Sequence, residues 1–285
     1  MPDADCIRFT LATTMPELPE VETTLRGIQP YLLGKKLSGL VVRDRRLRWP
    51  IPKNLEDSLS CKVVTQLYRR GKYIIIKVSG GSSLIHLGMS GSMRVILNQE
   101  PPEKHDHFDL ITEDGPIIRY RDPRRFGCLL WTTGNPHNHP RLEGLGLEPL
   151  TSDFNGEVLY NASRSRKQAV KNLIMDGRIV VGVGNIYASE ALYKSGIHPA
   201  RACNRISLQR YENLSQNIKM TLSEAIRQGG TTLQDFIQVD GRAGYFEQSL
   251  SVYGRAGEPC LHCGTAIKCQ FIGQRSTFYC TKCQR

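Results

Sequence analysis

Between about Leu37 and Trp131 the chain alternates apolar and polar positions in short runs broken by turn residues. Val63–Tyr68 and Tyr73–Val78 flank Arg69-Arg70-Gly71-Lys72, which predicts a hairpin with basic residues at its tip. Leu110–Thr112 and Ile117–Tyr120 flank Glu113-Asp114-Gly115-Pro116, a second hairpin signal. Several short strands at this spacing point to a sandwich or a barrel. Ahead of them, Glu17 to Leu32 carries Val21, Leu25 and Ile28 at steps of four and three, a helical stripe. From Thr132 to Leu150 the composition shifts to Gly, Pro, Asn and His and predicts a linker. After it the period is helical: Ser207 is placed to cap a helix in which Leu208, Tyr211, Leu214, Ile218 and Leu222 recur, ending at Gly229-Gly230. From about Tyr253 the chain is short, turn-rich and cysteine-bearing.

Composition changes this picture in one respect. The hydrophobic share of 40% and the charged share of 23% are ordinary for a globular protein, but the net charge is +11. Such a surplus points to a polyanionic partner, nucleic acid being the commonest, or else to a basic solvated surface. No apolar run approaches the ~18 residues of a membrane helix. Met1 to Thr14 contain Asp3 and Asp5 and lack the basic start and apolar stretch of a signal peptide, so a cytoplasmic protein is expected. Nine cysteines, an odd number, argue against a complete disulfide framework.

Cys260-x2-Cys263 and Cys280-x2-Cys283, sixteen residues apart, have the spacing of two knuckles around one tetrahedral zinc. Gly264 follows the first pair, where a knuckle turn often needs a positive φ. Two disulfides or four unrelated thiols are the other readings. Four thiolates would close the metal's coordination, which makes the ion structural. Between the pairs, Arg275 is placed either as a phosphate fork at the tip of a hairpin or as a plain exposed arginine.

Several segments, in order, resemble the formamidopyrimidine-DNA glycosylase family. They are Pro16-Glu17-Leu18-Pro19-Glu20-Val21-Glu22, Arg70-Gly71-Lys72-Tyr73, His86-Leu87-Gly88-Met89-Ser90-Gly91, Lys104-His105-Asp106-His107, Asp122-Pro123-Arg124-Arg125-Phe126-Gly127 and the run Val181 to Glu190. The zinc tail is similar as well, so the resemblance runs from Met15 to Arg285. It implies an α+β fold: a β-sandwich with flanking helices over 16–135, a linker over 136–150, a helix–two-turn–helix domain over 151–250 and a zinc β-hairpin over 251–285. The sibling endonuclease VIII family, which acts mainly on oxidised pyrimidines, usually begins Pro-Glu-Gly-Pro-Glu. Leu18, Val21 and the trio Met89, Arg124 and Phe126 look like the purine-directed family instead.

The resemblance implies removal of oxidised purines, 8-oxoguanine and formamidopyrimidines, from damaged double-stranded DNA. It also implies strand cleavage at the abasic site by β,δ-elimination, one structural zinc and no organic cofactor. The proline nitrogen would attack C1′ of the damaged nucleotide, and an iminium would link Pro16 to the sugar. Glu17 would move protons, although its residue type and place also suit a carboxylate at a helix N-terminus. Lys72 resembles the lysine that contacts the lesion phosphate, and Arg275 the arginine of phosphate binding and δ-elimination. His105, Arg124, Arg166, Lys171, Asn185 and Arg275 are the implied DNA contacts. Met89, Arg124 and Phe126 would fill the gap left by the everted nucleotide, with Arg124 facing the orphaned cytosine. Core packing is the ordinary fate of a methionine or phenylalanine, but Gly88, Ser90, Gly91, Arg124 and Arg125 around them favour exposure. Gly182-x-Gly184 ahead of a helical run suggests either a plain turn or a phosphate site capped by Asn185. The run Gly229-Gly230 through Gly244-Tyr245 resembles a loop over the everted base.

One departure matters. With Met15 before it, the nitrogen of Pro16 is an amide and cannot form an iminium. Residues 1–15 are therefore expected to be a mis-assigned or non-native leader, leaving 285 − 15 = 270 residues. Losing Asp3, Asp5 and Arg8 with it shifts the side-chain charge from +11 to +12. A retained leader would instead give a catalytically blocked damage-binding protein, and a zinc-finger regulator would explain the charge and cysteines but not Pro16-Glu17 or Lys72. The expected enzyme is a monomer, since no heptad appears, and acts in the cytoplasm on the bacterial nucleoid.

Overall fold

A computed structural model of the chain describes residues 15–98, 100–230 and 250–285. Residues 1–14 and the implied base-covering loop from Thr231 to Tyr245 lie outside the described residues. The described chain divides into two compact units, residues 15–144 with 228–230, and residues 145–227 with 250–285. Among the described residues no helix is long and apolar enough to cross a membrane.

The first unit begins with helix α1 (Leu18–Leu32). Its start is closed by a capping box: Glu17 is the N-cap, its N–H donates to Glu20 Oε2 at 2.9 Å, and its own side chain accepts the N–H of Glu20. Val21, Leu25, Ile28 and Leu32 are buried, the stripe read from the sequence plus one turn. Eight strands follow, with a short helix α2 (Leu55–Leu59) among them: β1 (Leu37–Val42), β2 (Gln66–Arg70), β3 (Tyr73–Val78), β4 (Gly81–His86), β5 (Ser92–Ile96), β6 (Asp106–Thr112), β7 (Ile117–Arg121) and β8 (Cys128–Thr132). They form two antiparallel four-stranded sheets, ordered β1-β6-β7-β5 and β2-β3-β4-β8.

One apolar cluster joins the α1 stripe to residues of both sheets, including Ile74, Ile76, Ile85, Phe108, Ile118, Tyr120 and Leu129. Strand β3 explains its own composition. Ile74 and Ile76 enter that cluster while Ile75, paired with Leu84, is equally buried, so alternation gives way to a continuous apolar run. The first hairpin is tighter than the sequence suggests. Arg69 and Arg70 pair within β2, leaving Gly71 and Lys72 as the turn, and Arg69 reaches inward to Glu22 Oε2 at 2.9 Å. An arginine with a carboxylate to reach has no reason to stay at a solvated tip.

The second unit holds α3 (Gly156–Ser163), α4 (Val170–Ile174), α5 (Asn185–Lys194) and α6 (Leu208–Arg227), and the hairpin β9 (Lys268–Ile272)–β10 (Arg275–Tyr279). Asn155 Oδ1 caps α3 by accepting the N–H of Val158 at 3.1 Å. Tyr211, Leu214, Ile218 and Leu222 of α6 are buried as their period requires. The hairpin packs β10 against α5, so the terminal module shares a compact unit with the helices.

Candidate nucleic-acid interface and zinc centre

In the first unit the implied nucleophile Pro16 is buried directly ahead of α1, and Glu17 is 4% exposed. Glu17 does serve as the helix N-terminal carboxylate that its residue type allowed, and it follows Pro16 directly in the chain. Lys72 sits in the β2–β3 turn, with Gly71 at φ +57° supplying the reversal.

Lys72 has a neighbour the sequence reading did not single out. The pKa of His86, at the end of β4, is held down to about 4, first by the protein packed around the ring and then by the charges of Lys72 and Arg48. A neutral imidazole suits its contacts: Nδ1 accepts the N–H of Gly88 at 2.9 Å, and the Tyr73 ring meets it edge-on at 4.8 Å. The signal was present, since His86 opens the quoted His-Leu-Gly-Met segment. Cys128, paired with His86 in the sheet, is buried and its thiol is pushed up to about 12, which leaves it inert.

Met89 is half-buried, whereas Arg124 and Phe126 are exposed and form a cation–π pair with 5.1 Å from guanidinium to ring centroid. Arg125, between them, adopts φ +59° and turns back to Asp44 at 2.8 Å, so Arg124 is the arginine left facing outward. Hydrogen bonds from Arg46, and after them the positive charges of Arg125 and Arg46, hold the Asp44 carboxyl well below the usual carboxylate range. His105, at φ +80°, lies next to the same loop, its carbonyl accepting the N–H of Asp122 at 3.1 Å.

In the second unit Asn185 is the first residue of α5; the N-cap is Gly184. The amide of Asn185 turns away from the helix end to bond elsewhere. Its Oδ1 accepts from Lys171 Nζ at 2.6 Å, and its Nδ2 donates to Ser276 O at 3.1 Å and approaches Tyr253 Oη at 3.4 Å. Lys171 is 0% exposed, and its ammonium also donates to Thr277 Oγ1 at 2.7 Å and Ser276 O at 3.2 Å. It thus ties α4, the start of α5 and strand β10 together. Arg275, exposed, leads β10 directly after the turn Gly273-Gln274, whose φ values of +57° and +61° fit a tight two-residue hairpin loop. Arg166 lies 3.7 Å from Asp176, and Lys167 beside it is exposed.

Two further residues of this unit escaped the sequence reading. Glu190 of α5, 1% exposed, accepts backbone N–H groups from Ser251, Val252 and Tyr253 at 2.8, 2.9 and 2.9 Å, fixing the segment that carries Tyr253. Tyr193, one turn further along α5, donates its hydroxyl to Cys260 Sγ at 3.2 Å.

Cys260, Cys263, Cys280 and Cys283 bring their sulfurs within 4.8 Å of one another. A tetrahedral zinc–thiolate centre has sulfur–sulfur separations of about 3.8 Å, given Zn–S bonds of about 2.3 Å. The separations of 3.4 Å for Cys263–Cys280 and 3.9 Å for Cys260–Cys283 fit that set. The backbone supplies both knuckles, with Gly264 N–H returning to Cys260 O and Gln284 N–H to Cys280 O. One structural zinc is the cofactor these residues hold.

Comparison with known proteins agrees with this geometry. Three family models match in order: the formamidopyrimidine-DNA glycosylase N-terminal domain over residues 15–129, the formamidopyrimidine-DNA glycosylase H2TH domain over 145–237, and a zinc finger found in FPG and IleRS over 257–285. The formamidopyrimidine-DNA glycosylase of Syntrophotalea carbinolica is 54% identical over 271 residues, covering 95% of this chain and all of that one. The Magnetococcus marinus enzyme of the same name is 55% identical over 274 residues, again across its full length. Among solved structures, the Thermus thermophilus MutM (FPG) protein superposes with a TM-score of 0.83 at 34% identity, covering 94% of this chain and 98% of that one. The Lactococcus lactis Fpg bound to DNA containing Fapy-dG gives 0.85 at 29% identity, covering 94% and 100%. On identity, coverage and fold together, the chain belongs to the formamidopyrimidine-DNA glycosylase family.

Proposed function

We propose that this chain is a base-excision repair enzyme that removes 8-oxoguanine and formamidopyrimidines from duplex DNA and then cuts the strand at the abasic site. The observation that carries this reading is the family match, which runs from residue 15 to the C-terminus and spans the relatives' full lengths. Lactococcus lactis Fpg has been solved with abasic-site DNA as well as Fapy-dG DNA, substrates of the kind proposed here. The basic charge of +11 suits a polyanionic duplex.

In this reading residues 1–15 are absent from the working enzyme, and Pro16 is a secondary amine at the chain terminus, a class of group that titrates at about 8 and is partly neutral at working pH. Residues 16–135 form the catalytic sandwich, 136–150 a linker, 151–250 the helix–two-turn–helix domain and 251–285 the zinc hairpin. The amine forms a bond to C1′ as the glycosidic bond breaks, and the base leaves with the bonding electron pair and a proton. Glu17, adjacent in the chain, supplies and later recovers the proton. The iminium acidifies the C2′ hydrogens, so loss of one expels the 3′ phosphate; a second elimination expels the 5′ phosphate, and water releases Pro16. Lys72 and Arg275 bind phosphate charge as those groups depart, with Arg275 acting as a clamp because a guanidinium is a poor acid. Asn185, Arg166 and His105 contact the backbone, while buried Lys171 serves the same surface by fixing Asn185 and β10. Met89, Arg124 and Phe126 occupy the gap opposite the displaced nucleotide. The reaction runs in the cytoplasm, on the nucleoid.

Borohydride reduction of the protein on 8-oxoguanine duplex tests the reading. A covalent adduct mapped to Pro16 is the expected result; an unmodified chain beginning at Met1 that gives no adduct would sink it. Thymine glycol in the same assay separates the pyrimidine-directed activity, which predicts the stronger adduct there.

A further inference from the structure

The loops carrying Met89 and the pair Arg124 and Phe126 are separated by more than thirty residues of chain, yet one buried side chain bonds to both. Asp122 is 0% exposed. Its Oδ1 accepts the hydroxyl of Ser90, next to Met89, at 2.6 Å. Its Oδ2 accepts the N–H of Gly127, next to Phe126, at 2.8 Å, and lies 3.2 Å from the Tyr120 hydroxyl. Ser90 Oγ in turn accepts the N–H of Arg124 at 3.1 Å. Each of the three outward residues is therefore itself bonded to this cluster or adjacent in the chain to a residue that is.

The backbone of Asp122 is engaged as well. Its carbonyl accepts His107 Nε2–H at 2.8 Å and the N–H of Arg125 at 3.2 Å. The two loops also touch directly. A Cβ on Gly88 would stand 2.3 Å from the nitrogen of Gly127, and one on Gly127 would stand 1.8 Å from the Tyr120 hydroxyl, so neither position accepts a side chain without moving a loop. An ionised carboxylate taken fully out of water is expensive unless its acceptors are filled, and the donors here come from both loops and from β7.

Resting on the gap-filling reading above, we infer that Asp122 is the positioning residue of the wedge: one carboxylate oxygen sets the Met89 loop, the other sets the Arg124–Phe126 loop, and the three residues enter DNA as one preformed unit. A carboxylate suits this because it accepts on both sides. An amide offers one acceptor and one donor, and its NH2 would either meet the Gly127 N–H or face the serine oxygen and leave the serine hydroxyl proton without its acceptor. Loops held this way need not be ordered when the duplex is opened.

The test compares Ser90→Ala and Asp122→Asn with the parent on two substrates. Single-turnover excision of 8-oxoguanine opposite cytosine requires eversion and gap filling; strand cleavage at an abasic site in single-stranded DNA requires neither. Excision is expected to fall at least tenfold in both variants while single-strand cleavage changes less than twofold. Ser90→Ala is expected to add little to the loss already caused by Met89→Ala, since both disable the same preformed wedge. Equal losses on both substrates, no loss on either, or full additivity with Met89→Ala would overturn the inference. A binding readout needs no chemistry: 2-aminopurine opposite a tetrahydrofuran site should change its emission with the parent and much less with Ser90→Ala. A parent that shifts this emission but never forms a borohydride adduct would remove the catalytic reading and leave the positioning role intact. An adduct-forming parent whose emission change survives Ser90→Ala would do the reverse.

Discussion

The two units organise their outward-facing residues around buried charges of opposite sign. In the β unit an acid, Asp122, gathers donors from two loops and so sets Met89, Arg124 and Phe126. In the helical unit a base, Lys171, gathers acceptors from α5 and β10 and so sets Asn185 beside Arg275. The difference follows from what is being held. Loops at strand ends have N–H groups left over, which call for an acceptor. A hairpin edge and an amide oxygen leave acceptors over, which call for a donor. In both places the charged residue is interior and does its work one bond away from the surface.

Perturbing the helical side alone should have the largest effect. Stripping zinc with a chelator is expected to abolish hydrogen-exchange protection across β9 and β10 while β3 and β4 keep theirs, because metal binding and folding of such a site are one equilibrium. Loss of protection in both units would erase the distinction drawn between them. Next in size, Lys171→Met keeps the volume and removes the ammonium from three acceptors. It should cost about 2–4 kcal/mol in urea unfolding and weaken binding to abasic duplex. A melting curve unchanged from the parent would mean the ammonium holds nothing.

Acidification should reach the β side through His86. Its folded pKa is depressed to about 4 from an ordinary 6.5, so the neutral ring is what folding favours. The resulting stability is complete above pH 6.5 and is lost as the pH falls toward about 4, where the folded form also takes the proton. Urea midpoints across that window should drop less steeply in His86→Asn; parallel slopes would discount the ring. The smallest effect expected is that of Tyr193→Phe, which deletes one hydrogen bond to a zinc thiolate. Transfer of zinc to a chromophoric chelator should quicken several-fold with little change in melting temperature, and an unchanged transfer rate would assign the hydroxyl no part in retaining the metal.

Periodicity and spacing made much of this molecule legible. The α1 and α6 stripes, the β6–β7 hairpin and the doubled Cys-x2-Cys each depend on neighbours within a few residues, which sequence displays directly. What stayed hidden depends on partners far along the chain. Asp122 opens the segment Asp122-Pro123-Arg124-Arg125, and nothing local says that this aspartate is fully buried and bonded to Ser90. Lys171 is read as a residue that meets DNA, but it is buried, and two of its three acceptors lie more than a hundred residues away at Ser276 and Thr277. Arg69 reads as a tip residue because Glu22, the carboxylate that draws it inward, lies 47 residues earlier. Charged residues are read as exposed by default, and only tertiary structure identifies those that are not.

The reciprocal bonds between Glu17 and Glu20 have a consequence for reactivity. A chain terminus is ordinarily where a protein frays, which makes a terminal amine a poor place for a nucleophile. Here the amine would stand one residue outside a helix whose first turn is latched by side chains from both directions, with its ring already packed against the protein. Such an end has few conformations to search, so the amine can be held at a fixed approach to C1′. Effective concentrations of about 10⁵–10⁸ M for well-oriented groups arise from this kind of restriction. The latch should therefore appear in the rate of adduct formation more than in the affinity for DNA, and Glu20→Ala would slow the first bond without loosening the grip on the duplex.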